Sequence, residues 1–481
     1  MIERLRLRRA RPAAQPTAPQ TEKPTELERI VTWLDERTGF GTYARSALRK
    51  VFPDHWSFLL GELALFCFVI LVATGTFLTF FYVPSQAPTV YEGSYRPLAG
   101  ASVSSAYDSV LRLSFDVRAG LLMRQIHHWT ALIFLGAIVI HLCRIFFTGA
   151  FRRPREINWL IGFGLLTFAI GEGFTGYSLP DDLLSGTGLR IAFSVLLSIP
   201  FAGPNLAFLA FGGPFPGPAV LSRLFVLHIM LLPALLIVGI SVHILIIYIQ
   251  KHTQYRRPGA TESNVIGQRF WPNQALRSTG LFLLTGAAAT LIGGLVQVNP
   301  VWLYGPFIAS EASSPAQPDW YLGFLEGALR LGPNFEPTIL GVTIPTVFVP
   351  GIVIPGILFA AIALWPFLEA WRTKDHAEHH LLDMPWDAPR RSATGVAMLA
   401  ILAMLTIAGA NDVLATTFDV RVEDLTNALR VLTVGVPIVA WIVTYRLLVE
   451  RAGRTERRPP APRTVVLRRT AAGGFDEVED A

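Results

Sequence analysis

The chain alternates between long apolar blocks and more polar connections. Eight of the blocks are about 20 residues long or more, which is enough for an α-helix to cross the hydrocarbon core of a bilayer. Their approximate bounds are 58–82, 127–147, 157–177, 225–249, 279–298, 345–371, 393–414 and 431–448. The pattern predicts an all-α integral membrane protein with eight transmembrane helices.

Composition agrees with this prediction. Of the 481 residues, 52% are hydrophobic and 16% are charged, whereas an ordinary soluble domain has roughly 25% charged residues. A soluble enzyme is therefore excluded. The two cysteines, Cys67 and Cys143, lie inside apolar blocks and cannot form a disulfide framework. The sequence has no CxxCH motif, so no covalent c-type haem is expected.

The net charge of +6 could point to nucleic acid, but most of the 41 lysines and arginines flank the apolar blocks. That distribution follows the positive-inside rule and indicates no nucleic-acid partner. It places both termini on the cytoplasmic side, together with the connections at 152–155, 251–277 and 372–391.

Two terminal segments and one helix complete the organisation. Residues 1–24 and 451–481 are predicted to be cytoplasmic tails, the first of them disordered. Residues 25–52 are predicted to form an amphipathic helix on the membrane surface, because Thr25 and Glu28 have capping-box spacing and apolar residues follow with helical period. An extramembrane helix docked on a partner remains an alternative.

Four histidines lie inside the predicted spans, where ionisable residues are costly and are functional candidates. His127 and His141 are in the second span, and His228 and His243 are in the fourth. Each pair stays roughly on one helix face, with its members about 21–23 Å apart along the axis. His128 points away from the face of His141, so His127 is preferred as the ligand.

Facing helices that each offer histidines at two matched depths indicate two bis-histidine haem sites. Zinc would need clustered ligands instead. The glycine pairs Gly61/Gly75 and Gly162/Gly176 repeat the fourteen-residue spacing on the first and third spans. A helix can pass close to a flat macrocycle where it has no side chain.

Three arginines lie near these histidines: Arg124, Arg144 and Arg223. They could pair with haem propionates, or they could be interfacial arginines that snorkel at span ends. Pro233 inside the fourth span is expected to kink it and to accommodate the extra residue between His228 and His243.

In combination these residues resemble cytochrome b of quinol–cytochrome c reductase (bc1) complexes, most closely the menaquinol-oxidising actinobacterial type. The resemblance runs from about residue 25 to 450. Its motifs are Arg124-Gln-Ile-His127, His141-Leu-Cys-Arg144, Arg223 with His228 and His243, the four glycines, Gly176-Tyr-Ser-Leu-Pro180 and Pro318-Asp-Trp-Tyr321.

The resemblance implies a dihaem four-helix part at 53–250 and a C-terminal part at 251–450. His127 and His228 would ligate the low-potential haem near the outer face, and His141 and His243 the high-potential haem near the cytoplasm. Quinol, expected to be menaquinol, would be oxidised in a Q cycle. Implied partners are a Rieske iron–sulfur subunit, a cytochrome c subunit and a terminal oxidase, in a dimeric complex of the bacterial plasma membrane.

The resemblance places quinol oxidation beside Asp319 and Tyr321. The family's usual motif has Glu where this chain has Asp319, which can still accept a proton but is one methylene shorter. Asp319 could instead cap a short interfacial helix. The family's Pro-Trp-Gly is also changed here, to Pro180-Asp181-Asp182.

Several features stay open. His252, Lys251, Arg277 and Ser278 could mark a quinone-reduction site or simply a basic loop, and the His376–His380 cluster could bind metal or be a solvated loop. An eight-helix proton-coupled transporter without haem is the rival function. A dihaem anchor of a dehydrogenase is a nearer rival, but such proteins lack the Pro-Asp-Trp-Tyr segment.

Overall fold

Eight helices in the described part of the chain are long and apolar enough to cross a membrane, as the apolar pattern predicts. The computed structural model describes residues 25–311, 317–339, 341–456, 466–469 and 475–478, so the tail predicted at 1–24 lies outside the described residues. The spans are α1 (Trp56–Thr79), α2 (Gly120–Phe147), α3 (Glu156–Tyr177), α4 (Val220–Gln250), α5 (Phe270–Leu295), α6 (Val349–Thr373), α7 (Pro389–Ala408) and α8 (Val422–Gly453).

Several helix ends differ from the predicted bounds. Helix α2 begins at Gly120 rather than 127, and the α8 helix continues to Glu456, past the predicted boundary at 450. Helix α7 ends at Ala408, and residues predicted to extend it belong partly to a separate helix, Asn411–Phe418. Hydropathy marks only the stretch that crosses hydrocarbon, whereas backbone hydrogen bonds can continue a helix into the polar interface.

The N-terminal segment forms two helices, Glu26–Thr38 and Phe40–Leu48, so the prediction of one helix over 25–52 was wrong. The capping box is confirmed, because the Thr25 hydroxyl accepts from the Glu28 amide and the Glu28 carboxylate accepts from the Thr25 amide. The first helix ends where Gly39 adopts a left-handed φ of 64°. Its apolar residues Ile30 and Val31 are exposed, as expected of a helix lying on a membrane surface.

Shorter helices occupy the connections between spans. They are Arg96–Leu98, Ser105–Phe115, Leu183–Leu197, Gly203–Phe211, Val301–Tyr304, Trp320–Leu322 and Gly323–Leu331. The connections thus contain ordered elements.

Ten short strands pair into five two-stranded sheets within the described residues. The antiparallel pairs are β1 (Val51–Pro53) with β5 (Gly267–Arg269), β2 (Pro88–Val90) with β3 (Ser102–Ser104), β6 (Thr338–Ile339) with β7 (Val342–Thr343), and β9 (Val466–Arg469) with β10 (Phe475–Val478). The parallel pair is β4 (Gln254–Tyr255) with β8 (Leu381–Leu382). Each sheet joins loop segments, and the fold remains a helical membrane bundle.

The first four spans share a core, which confirms the predicted four-helix bundle. Its buried residues come from all four helices and from one loop residue: Cys67, Phe68, Phe134, Leu135, Leu166, Ala169, Leu236 and Tyr321. Tyr321 lies in the short Trp320–Leu322 turn that precedes Gly323–Leu331, so this loop is anchored directly in the bundle.

Helix α4 contains a π-helical segment at Leu227–Leu231, immediately before Pro233. A π turn fits one more residue than an α turn, and proline donates no backbone hydrogen bond. The extra residue between His228 and His243 is therefore accommodated beside Pro233, where the sequence predicted it.

A buried ion-pair cluster joins the α2–α3 turn to the start of α7. The Asp383 carboxylate lies 3.0 Å from both Arg152 and Arg391, and Arg391 also pairs with Glu369 of α6. Breaking one partner of such a cluster would leave a buried charge uncompensated. This cluster connects the bundle to α6 and α7.

Close packing of Gly323–Leu331 on α7 is expected to be essential for stability. A Cβ at Gly327 would overlap the Leu405 carbonyl oxygen, so Gly327→Ala should destabilise the protein by about 1–3 kcal/mol through overpacking. Gly356 of α6 has no atom within 4 Å of a built Cβ, and Gly356→Ala is the matched control. Thermal unfolding in detergent should show a lower Tm for the first variant alone; equal Tm values would contradict the packing account.

Candidate functional site

Helices α2 and α4 bring the four intramembrane histidines together as two pairs. The imidazole rings of His127 and His228 have centroids 6.2 Å apart and planes inclined at 73°. His141 and His243 lie close enough to influence each other electrostatically, and they form the second pair. Because metal–imidazole bonds are about 2 Å long, the spacing of the first pair leaves room for one metal ion between the rings.

Each of the four spaced glycines faces one histidine. A Cβ built on Gly75 would lie 3.2 Å from His127 Cε1, and one on Gly61 would lie 3.2 Å from His141 Cε1. Gly162 faces His243 at 3.3 Å in the same way, and a Cβ on Gly176 would overlap His228. The absence of a side chain at these four positions of α1 and α3 therefore leaves room at both histidine levels.

Arg124 and Arg144 retain spare donors next to the histidine pairs. Arg124 is buried and donates from Nη2 to the Asn299 carbonyl, while its Nη1 has no hydrogen-bond partner among the described residues. Arg144 lies 4.2 Å over the Phe58 ring, and its buried Nε and Nη2 likewise have none. Such donors suit an anionic group that enters the bundle.

Arg223 lies in a different environment. Its side chain is exposed and donates to the carbonyls of Phe208 and Leu209 at the end of the Gly203–Phe211 helix. These contacts satisfy helix-end acceptors. A role for Arg223 toward a propionate stays a prediction.

His128 turns away from His127 and contacts Asp319. Its Nε2 lies 3.0 Å from Asp319 Oδ2 and 3.2 Å from Oδ1, and the two side chains are 16% and 10% exposed. Asp319 occupies the N-cap position of the Trp320–Leu322 turn, but its side chain makes no capping hydrogen bond. The capping interpretation of Asp319 was therefore wrong.

Tyr321 lies next to this pair and is buried in the bundle core. Burial, and then the charge of Asp319 and a hydrogen bond to it, raise the pKa of Tyr321 well above its usual value. The hydroxyl therefore stays protonated. It also packs against Gly173 of α3, where a built Cβ would come within 2.6 Å of the oxygen.

An apolar cavity of about 300 Å³ begins at Trp320 and Tyr321. Residues of α2, α3, α6 and α7 line it, among them Phe163, Phe359 and Met398. A cavity of this size, almost wholly apolar and with few polar groups at its border, is typical of a site for a hydrophobic small molecule.

The altered Pro180-Asp181-Asp182 segment has a structural role in this chain. Asp182 caps the Leu183–Leu197 helix, with reciprocal hydrogen bonds to Ser185. Burial raises the pKa of Asp182 to about 6. Asp181 precedes it in a left-handed conformation, with φ of 54°.

One residue that the sequence reasoning missed is Glu172 of α3. Its Oε1 lies 3.2 Å from His228 Nδ1. An acidic residue inside a predicted span is itself a signal of function, and Glu172 lies four positions before Gly176 on the same face of α3. This signal could have identified it.

The polar candidates at the other end of the bundle lie in separate contacts. His379 pairs with Asp375, and His380 accepts from Arg155. No group of three or more histidine, cysteine or acidic residues in the described ranges could hold a metal, so the metal interpretation of His376–His380 was wrong.

His252, a candidate for quinone reduction, packs against Phe52 at 4.5 Å between ring centroids. Burial lowers its pKa to about 4, with a further contribution from the positive charge of Lys50. Ser278 donates to Glu62, and Arg277 pairs with Asp54. These contacts do not bring the candidates together as one site.

Comparisons with known proteins agree with this geometry. Residues 132–306 match the family described as cytochrome b(N-terminal)/b6/petB. Fold and site thus define a membrane cytochrome of the b type, with b-type haem as its cofactor.

Relatives extend the match over most of the chain. It is 44% identical to the cytochrome bc1 complex cytochrome b subunit of Streptomyces coelicolor, over 94% of this chain and 83% of the relative. Identity to the subunit of the same name from Mycobacterium tuberculosis is 45%, over 87% and 76%. For Corynebacterium efficiens it is 42%, over 92% and 82%. The chain belongs to the family of cytochrome bc1 complex cytochrome b subunits, which excludes the transporter alternative.

A solved structure shares the fold. The structure titled "Hyperthermophilic respiratory Complex III" matches with a TM-score of 0.63 and 20% identity, covering 87% of this chain and 100% of that chain.

The residues present fit haem. Two imidazoles at a level are too few for a metal held by protein alone, but they suit the two axial positions of a haem iron. The glycines leave space for a flat ring, and Arg124 and Arg144 offer unpartnered donors to its acidic groups.

The adjacent residues His127 and His128 are expected to differ completely in their effect on haem content. His127→Ala should lower the b-type haem content of the chain, because its ring faces His228. His128→Ala should leave the haem content unchanged, because its ring contacts Asp319. Haem extraction and reduced-minus-oxidised spectra measure this, and loss of haem from the His128 variant would overturn the ligand assignment.

Proposed function

We propose that this chain oxidises quinol, with menaquinol as the expected substrate, and holds two non-covalent b-type haems. His127 and His228 would ligate the haem near the outer face, and His141 and His243 the haem near the cytoplasm. The observation that carries the proposal is the His128–Asp319–Tyr321 cluster: its Tyr321 lines an apolar cavity, and its His128 is adjacent in sequence to His127. When bound, the haems supply one-electron transfer between the two faces.

The cluster suits removal of a proton from a hydroxyl substrate. The Asp319 carboxylate is only 10% exposed and is held by His128, so it can act as a positioned general base. Tyr321 keeps its proton and can donate to a substrate oxygen. The apolar lining of the cavity suits a hydrophobic ring.

The two histidine levels suit transfer across the membrane. They are about 21–23 Å apart along the helix axes, so an electron passing between them crosses much of the hydrocarbon core. Each charge moved across the full membrane potential is worth about 2.3 kcal/mol per 100 mV. Quinone reduction near the cytoplasmic face would complete a Q cycle and contribute to proton-motive force.

Partners are needed to complete the reaction. The chain has two cysteines, both in membrane spans, and an iron–sulfur cluster needs several ligands. A Rieske iron–sulfur subunit would therefore take one electron, and a cytochrome c subunit would pass it on, with a terminal oxidase as final acceptor. The complex is expected to be a dimer surrounded by lipid in the bacterial plasma membrane, with both termini of this chain cytoplasmic.

Asp319→Asn tests the assigned base. Losing a general base costs typically 10²–10⁴-fold, so we expect quinol oxidation by the assembled complex to slow by about 10²-fold while both haems remain. Asp419→Asn is the matched control, because Asp419 is exposed and has a left-handed φ of 51° that asparagine tolerates. Steady-state turnover and haem spectra are the measurements.

Unchanged turnover in the Asp319 variant would contradict the role of Asp319 as the general base. Loss of haem together with turnover would show that Asp319 acts by maintaining the bundle.

A further inference from the structure

Glu172 places a carboxyl group at membrane depth, against one histidine of the bundle. Its Oε1 lies 3.2 Å from His228 Nδ1, and its side chain is 19% exposed. Its Oε2 is buried with no hydrogen-bond partner among the described residues. An acidic residue in this position is costly and needs a compensating role.

The His228 ring is held through one nitrogen. Nδ1 contacts the Glu172 carbonyl oxygen at 3.0 Å, the Thr175 hydroxyl at 3.3 Å and the Glu172 carboxyl. Because these contacts all use Nδ1, Nε2 is the nitrogen that would face a metal.

Within the described residues, no carboxyl group pairs with the other three intramembrane histidines. His127 Nδ1 lies 2.9 Å from the Thr74 hydroxyl, and His141 Nδ1 is buried with no partner in the described part of the chain. Of the four intramembrane histidines, His228 alone forms an ion-pair contact with an acidic side chain within the described residues. The two proposed haem levels therefore differ in the environment of their ligands.

This difference has a chemical consequence. The hydrogen bond from His228 Nδ1 to the Glu172 carbonyl fixes the ring's orientation, and the negative charge of the carboxyl group 3.2 Å from the same nitrogen makes the imidazole a more basic ligand. A more basic axial ligand stabilises oxidised iron over reduced iron, and axial ligation with its hydrogen bonds is a main means of setting haem potential.

We propose that Glu172 is a positioning residue that orients His228 and lowers the reduction potential of the haem held by His127 and His228. This inference rests on the proposed function, which assigns that haem. Gly176 lies one turn further along α3, and its lack of a side chain leaves space for the same ring. One face of α3 therefore makes room for His228 and orients it.

The test is a redox titration of the assembled complex carrying Glu172→Gln, followed by haem absorbance. We expect the reduction equilibrium of one b-type haem to shift at least about tenfold toward the reduced form, which is about 59 mV for a one-electron couple. The potential of the other b-type haem should not change. The electron paramagnetic resonance signal of the affected haem should also change, which reports ligand orientation directly.

Glu62→Gln is the matched control. Glu62 is another carboxylate within a span, but it accepts from Gln274 at 2.9 Å and Ser278 at 2.6 Å rather than from a histidine. Its substitution should leave the potential of the His127–His228 haem unchanged. An equal shift in both variants would contradict a specific role for Glu172.

The outcomes separate this inference from the proposed function. Two haems with unchanged potentials in Glu172→Gln would overturn the role of Glu172 and leave the haem assignment intact, whereas fewer than two b-type haems in the unsubstituted chain would overturn the proposed function. If Glu172→Gln does not assemble, Glu172→Asp decides. Its shorter carboxylate should raise the potential partly, and an unchanged potential would overturn the inference.

Discussion

Helices α2 and α4 face each other through their histidine rings, and the rest of the molecule depends on this arrangement. Ionisable side chains inside a bilayer are costly and mark function, and here the imidazoles form two levels in a bundle that shares an apolar core. The glycines of α1 and α3 keep those levels open. The π segment of α4 accommodates the extra residue that its longer histidine spacing introduces.

The proposed quinol site depends on the same bundle. His128 follows His127 on α2 and, one position further around the helix, reaches Asp319 instead of the bundle interior. Tyr321 anchors the Asp319 loop in the core shared by the first four helices. A change in the haem bundle would therefore alter the proposed site of proton removal, because one helix turn carries residues of both.

Much of this was predictable from sequence because membrane helices follow simple physical rules. Apolar length gave eight spans, and helical phase separated His127 from His128. The His128–Asp319 contact was not predictable, since it joins positions far apart in the chain through tertiary packing. Arg223 lies five residues before His228, yet it donates to carbonyls at the end of the Gly203–Phe211 helix, so proximity in sequence did not predict its contacts. A functional role for Glu172 was predictable, because it is an acidic residue within a span, but its contact with His228 was not.

The central claim is that four histidines hold two b-type haems in one chain. It is tested most directly by extracting non-covalent haem from the purified complex and recording reduced-minus-oxidised spectra per mole of this chain. The account predicts two b-type haems with distinct potentials. Finding none, or only one, would contradict it.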